Sequence, residues 1–218
     1  MSLKFAIALS GRGSNMLALH DVIAAMPDKA SCVCVIADKD CLGLQKAKEL
    51  GLDAHHVSYK ELGKDAAEAQ IIACLQEHQI DFLLLAGFMR ILSPTFVDAF
   101  PQKIINIHPS LLPKYKGVGT HRRALDAGDT HHGATVHFVT AELDDGPILS
   151  QAAIPIQPDD TEDTLAARLL PAEHWLYQTV VNALITGDLA EENGTYQWKT
   201  APHCELSDVI VTDCPIDR

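Results

Sequence analysis

No apolar run in this sequence approaches the ~20 residues that a bilayer-spanning helix needs, so none is expected. No secretory leader is expected either. Met1-Ser2-Leu3-Lys4 passes straight into the short apolar segment Phe5–Leu9, which lacks the length and the small-residue cleavage site of a signal peptide. A cytoplasmic protein is the expectation. Basic residues are also few: 17 Lys and Arg stand against 29 Asp and Glu, a net charge of −12. Such a surface repels nucleic acid at long range. The densest basic stretches, Lys114-Tyr115-Lys116 and His121-Arg122-Arg123, are short. The balance points to small-molecule substrates, with neither a nucleic-acid nor a membrane partner.

Metal and nucleophile signatures are equally scarce. Cys32, Cys34, Cys41, Cys74, Cys204 and Cys214 form no Cys-x-x-Cys pair. Reduced thiols, buried as small apolar groups, are the expectation. His131-His132 and His137 are poor joint ligands without thiolate or carboxylate partners at useful spacing, so no metal is expected. The sequence holds no Gly-x-Ser-x-Gly elbow, which favours direct attack over a covalent intermediate. Internal repeats and low-complexity segments are absent too.

What is present is a chain of 218 residues, 47% hydrophobic, enough for one sizeable core. Lys4–Leu9, Ser31–Ala37, Ala54–Val57 and Asp81–Ala86 read as strands. Helical stretches at Asn15–Met26, Leu42–Leu50 and Ala66–His78 alternate with them. That alternation implies crossover units and a mainly parallel, Rossmann-like sheet flanked by helices. Ligands of such sheets bind beyond the carboxyl ends of the strands. Three unusual loops fall at such ends: Ser10–Asn15, Gly87–Leu92 and Pro109–Gly117.

After about residue 130 the pattern changes. Ala134–Thr140 alternates with period two, and Ile148–Ile156 is extended again after the turn Asp144-Asp145-Gly146-Pro147. A C-terminal antiparallel extension is therefore expected. A long helix should open near Thr161 and run to about Thr186, kinked or broken at Pro171. The expected organisation is an α/β domain over residues 1–187 and an acidic tail over 188–218, with a short strand at Tyr196–Lys199.

Three constellations carry chemistry. Ser10-Gly11-Arg12-Gly13-Ser14-Asn15 joins a strand to a helix, where backbone amides and the helix N-terminus favour an anion. It is neither a Walker loop nor a full dinucleotide fingerprint, because Met16 stands where a third glycine belongs. A tight turn and a phosphate seat both fit it. Asn106 and His108 project from one face of a strand that Pro109 ends. An amide donor beside an imidazole suits reaction at a carbonyl carbon, although a structural hydrogen-bonded pair fits the spacing equally. Asp144 and Asp145 read first as turn residues and second as catalytic ones.

Two strings resemble the phosphoribosylglycinamide formyltransferases of the folate-dependent formyltransferase superfamily. They are Ala86-Gly87-Phe88-Met89-Arg90-Ile91-Leu92-Ser93-Pro94 and Asn106-Ile107-His108-Pro109-Ser110-Leu111-Leu112-Pro113-Lys114-Tyr115-Lys116-Gly117. The likeness covers about residues 4–185. It implies a formyltransferase-like fold and formyl transfer from 10-formyltetrahydrofolate to the amine of N1-(5-phosphoribosyl)glycinamide, in de novo purine biosynthesis. By that resemblance Asn106, His108 and Asp144 are the catalytic trio. Gly13, Ser14 and Asn15 hold the nucleotide phosphate, and Glu173 touches its ribose. Lys64, Met89, Arg90, Ile91, Leu92, Asn106, Thr140 and Asp144 line the folate site; Lys64 stands near where the family often has an arginine. Three other readings compete. A formyltetrahydrofolate hydrolase would carry an extra regulatory domain before Lys4. A methionyl-tRNA formyltransferase would carry a C-terminal RNA-binding domain. A dinucleotide-binding module would use Gly11, Gly13 and Asp38.

Overall fold

The computed structural model describes residues 2–202 and 209–212, so Cys204 and Cys214 lie outside the described residues. The chain divides into two compact units, residues 1–106 and 107–218.

The first unit contains β1 (Leu3–Leu9), α1 (Ser14–Ala24), β2 (Ala30–Ala37), α2 (Leu42–Glu49) and β3 (Ala54–His56). It continues through α3 (Tyr59–Leu62), α4 (Lys64–Glu77), β4 (Phe82–Leu85) and α5 (Pro94–Ala99) into β5 (Ile104–His108), on which it ends. β1 pairs with β2 and β4, β2 with β3, and β4 with β5, all parallel. The resulting order, β3-β2-β1-β4-β5, reverses direction between β1 and β4. Loops at such a switch point open a crevice beyond the strands' carboxyl ends. The apolar runs of β1 and β4 are buried because helices cover both faces of a parallel sheet. The Phe5 and Phe82 rings stack with centroids 5.8 Å apart. On α1, Met16, Leu19 and Ile23 form the buried stripe.

The second unit contains α6 (Thr120–Ala127), β6 (His131–Phe138), β7 (Ile148–Pro155) and α7 (Glu162–Thr186). β8 (Leu189–Glu192), β9 (Thr195–Trp198) and β10 (Ile210–Thr212) follow. β7 pairs antiparallel with β6 and β10, which makes the expected antiparallel extension. β8 and β9 form a separate hairpin where one short strand was expected at Tyr196–Lys199. The Trp198 indole N–H donates to the Leu149 carbonyl at 2.7 Å and pins that hairpin to β7.

Of the kink or break expected at Pro171, the break does not occur: α7 runs unbroken for 25 residues. Proline removes the hydrogen bond to the carbonyl four residues back, here Ala167. Both residues are exposed, where a carbonyl left without its helical partner is within reach of solvent. Thr161 caps the helix reciprocally with Thr164, and Glu162 and Asp163 complement its dipole. Among the described residues, no helix is long and apolar enough to cross a membrane. The α/β class read from the alternation therefore holds.

Candidate active site

Two loops flank the switch point of the first unit. The loop after β1 leads into α1 through Gly13, which caps the helix at φ +76° without any side-chain cap. Glycine has no side chain to cap the helix, and a helix N-terminus favours an anion. A Cβ on Gly13 would meet the Gly43 Cα at 2.7 Å, and one on Gly43 would meet the Gly11 carbonyl oxygen at 2.9 Å. The Gly43 N–H donates to that same oxygen at 2.9 Å, and Lys46 Nζ donates to the Arg12 carbonyl at 3.2 Å. Gly43, on the first turn of α2, is a supporting residue that sequence reasoning missed. A glycine at an otherwise ordinary helix start was the available signal.

The loop after β4 is tied to the first. Ser10 N–H donates to the Gly87 carbonyl at 3.1 Å, and Met89 N–H donates to Ser10 Oγ at 2.8 Å. Met89 and Ile91 are 67% and 63% exposed, an unusual state for apolar side chains, whereas Leu92 is buried. Arg90 points elsewhere: its Nε donates to Asp38 Oδ2 at 2.5 Å, and its guanidinium lies 4.9 Å from the Tyr59 ring centre. Asp38 is buried in that pair, which removes it from the ribose role of a dinucleotide site. Lys64 Nζ lies 3.9 Å from Glu68 Oε1. That carboxylate accepts the Ser93 N–H at 3.1 Å, so Lys64 stands beside the end of the same loop.

Asn106 and His108 sit two residues apart on β5, across the boundary of the units. In the second unit His108 Nε2 donates to the Tyr115 carbonyl at 2.9 Å, and Nδ1 lies 3.4 Å from Asp144 Oδ2. The Gly117 N–H holds that carboxylate oxygen at 2.9 Å. Asp144 occupies the left-handed region at φ +48°, a conformation Asp tolerates better than most residues. Two residues on, position 146 must be a glycine, because a Cβ there would strike the Phe138 carbonyl. Asp145 pairs outward with Lys116. The structure thus assigns the two turn aspartates different partners.

Behind this pair stands His137, which sequence reasoning set aside. Its Nε2 is 3.9 Å from Asp144 Oδ1, and its Nδ1 donates to the Phe138 carbonyl at 2.9 Å. Burial pushes its imidazole below the ordinary histidine range. Its signal was the alternation of β6, which turns residue 137 to the same face as Thr135. Thr140 follows in the loop that carries Asp144, with its hydroxyl donating to the Glu142 carbonyl at 3.3 Å. Glu173 is half-buried on α7 beside His174, whose imidazole is also pushed down by burial.

A buried network fixes the segment after β5. Thr135 Oγ1 donates to the Ser110 carbonyl at 2.7 Å and accepts from Leu112 N at 3.1 Å and Gln151 Nε2 at 2.8 Å. Gln151 also donates to the Leu112 carbonyl at 2.9 Å.

Residues 3–181 match the formyl transferase family model. The chain is 40% identical over 185 residues to the phosphoribosylglycinamide formyltransferase of Escherichia coli, covering 84% of this chain and 87% of that one. The chain belongs to the formyl transferase family. It is also 42% identical to a trifunctional purine biosynthetic protein of Drosophila melanogaster, over 84% of this chain but 14% of that much longer one. The crystal structure of glycinamide ribonucleotide transformylase 1 from Symbiobacterium toebii superposes with a TM-score of 0.84 at 36% identity, covering 90% of this chain and 94% of that one. The α1 loop, the 87–93 loop and the His108–Asp144 pair all lie within the matched span of this formyl transferase.

Proposed function

We propose that the chain transfers a formyl group from 10-formyltetrahydrofolate to the amine of N1-(5-phosphoribosyl)glycinamide, a step of de novo purine biosynthesis. The formyl donor of the family is a formyl-folate. The amine lone pair attacks the formyl carbon, and the carbonyl electrons move to oxygen. Asn106 and the Nε2–H of His108 hydrogen-bond that oxyanion, the imidazole exchanging the Tyr115 carbonyl for it. Asp144 keeps the proton on Nδ1 and orients the ring. The C–N10 bond then breaks, its electron pair goes to N10, and N10 gains a proton as the new amide nitrogen loses one.

The observation that carries the choice of acceptor is the glycine-rich turn into the α1 N-terminus, capped by Gly13 in the left-handed region. Gly13, Ser14 and Asn15 are proposed to seat the phosphate there, with Glu173 on the ribose. Met89, Ile91 and Leu92, with Lys64, Arg90 and Thr140, are proposed around the folate. For Arg90, which pairs with Asp38, the role rests on its backbone. Residues 1–187 form the proposed formyltransferase domain of a cytoplasmic protein, and 188–218 its tail. The test is an assay of purified protein with 10-formyltetrahydrofolate, with and without the glycinamide nucleotide. Formylated nucleotide as the product supports the reading. Equal formate release with and without nucleotide assigns the chain to folate hydrolysis instead.

A further inference from the structure

A second group of reactive side chains gathers in the first unit at the amino edge of its sheet, the edge opposite the loops after β1 and β4. Asp53 immediately precedes β3, and His78 immediately follows α4 on the way to β4. Cys74 and His78 are four residues apart, so they share one face of the helix. Cys34 reaches the same place from β2. The sulfurs of Cys34 and Cys74 and a ring nitrogen of His78 all lie within 4.8 Å of one another.

Cys74 Sγ is 3.8 Å from His78 Nδ1. A tetrahedral zinc ion with ordinary Zn–S and Zn–N bonds separates such a pair by about 3.5 Å. The other ring nitrogen, Nε2, lies 3.1 Å from Asp53 Oδ2. A carboxylate on the far nitrogen is what orients a metal-bound histidine. That carboxylate oxygen is also 3.0 Å from His55 Nε2, which anchors it on β3.

We propose that Cys34, Cys74 and His78 bind a zinc(II) ion, with Asp53 orienting His78 and water completing the tetrahedron. Two thiolates and an imidazole favour zinc over magnesium or calcium, which take oxygen ligands. On binding, each thiol releases its proton to solvent as a Zn–S bond forms. His78 Nδ1 gives up its hydrogen bond to the Cys74 carbonyl, 2.8 Å away, for the Zn–N bond. The proton displaced from Nδ1 moves to Nε2, where the neutral ring carries its single proton directed at Asp53. The ion joins β2 to α4 and takes no part in formyl transfer.

The test uses the full chain, reduced and stripped with a chelator, titrated with zinc chloride by calorimetry and with cobalt chloride by optical spectroscopy. The expected result is one ion per chain and a cobalt spectrum with thiolate charge transfer and tetrahedral d–d bands. Cys74→Ser and His78→Gln should each weaken zinc binding by more than about 100-fold, beyond the outer-shell range, and Asp53→Asn by about 10- to 100-fold. Cys34 is fully buried, so the half-buried Cys74 is the decisive position, with circular dichroism as the check on folding. Cys32→Ser, Cys41→Ser and the pair Cys204→Ser/Cys214→Ser should bind zinc as the parent does. A folded Cys74→Ser protein with unchanged affinity, or loss of binding in the Cys204→Ser/Cys214→Ser pair, overturns the proposal.

Discussion

Asp144 does three things at once: it adopts a left-handed backbone, accepts the Gly117 N–H and faces His108. Asn shares its tolerance of that backbone and keeps an acceptor oxygen, so Asp144→Asn should fold normally while losing the charge opposite the imidazole. Turnover is expected to fall at least about 10²-fold with nucleotide affinity nearly intact, as steady-state kinetics will show. His108→Ala should lose a similar factor; near-normal turnover in either variant would remove that residue from the mechanism. Gly13 behaves differently. Its φ of +76° and the 2.7 Å approach to Gly43 mean that any side chain strains the backbone and collides with α2. Gly13→Ala should therefore lower Tm, with about 1–3 kcal/mol of strain, and it is a poor probe of phosphate binding. Ser14→Ala is the cleaner probe, expected to raise the nucleotide KM without changing Tm. At this scale the motif string made Asn106 and His108 legible. Gly43 and His137 were not, because their importance lies in what approaches them from distant parts of the chain.

Among the elements, the segment from Pro109 to Gly117 has little regular structure and is held by two strand residues. Thr135→Val removes the hydroxyl that serves the Ser110 carbonyl, the Leu112 N–H and Gln151 together. Each buried group left unpaired costs about 1–3 kcal/mol. The expected outcome is a clear loss in chemical denaturation together with reduced kcat, since Tyr115, whose carbonyl holds His108, lies within that segment. Gln151→Leu should behave alike, and the double variant should lose less than the two separate losses combined. Additive losses would show that the two side chains act independently. Alternation identified β6, and an extended pattern β7, yet neither could say that Thr135 and Gln151 enter one buried polar network. α3 and α5, of 4 and 6 residues, escaped the sequence reading because so few turns give the helical period little to repeat, and α6 escaped it as well. α7 was expected to be kinked or broken at Pro171, and it is not broken. The proline rule assumes a cost that an exposed carbonyl at Ala167 largely escapes.

For the whole molecule, net charge was legible from composition, but the protonation behaviour of its histidines depends on burial that composition does not show. His121, His132, His137 and His174 are all pushed below the ordinary value by burial, and His132 falls from 6.5 to about 4. His132 Nε2 lies 2.9 Å from His121 Nδ1, so a proton on either ring repels one on the other. A histidine whose folded value is depressed binds more protons when unfolded, so stability rises with pH across the gap between the two values. Well above pH 6.5 both states are neutral at this position and its contribution is flat. Below that, the unfolded chain gains protons first, and stability falls until the folded protein titrates too, near pH 4 for His132. Carboxylates add their own loss only toward the lower end of that window, since ordinary values are about 3.9 for Asp and 4.3 for Glu. The interval between pH 6.5 and 5 therefore reads the histidines. Calorimetric Tm should decline steadily across it for the parent protein. His132→Gln, a polar residue that does not titrate, should show a lower Tm at pH 8 but a visibly shallower decline. If its slope between pH 6.5 and 5 equals that of the parent, the buried His121–His132 pair is not what makes the molecule acid-sensitive.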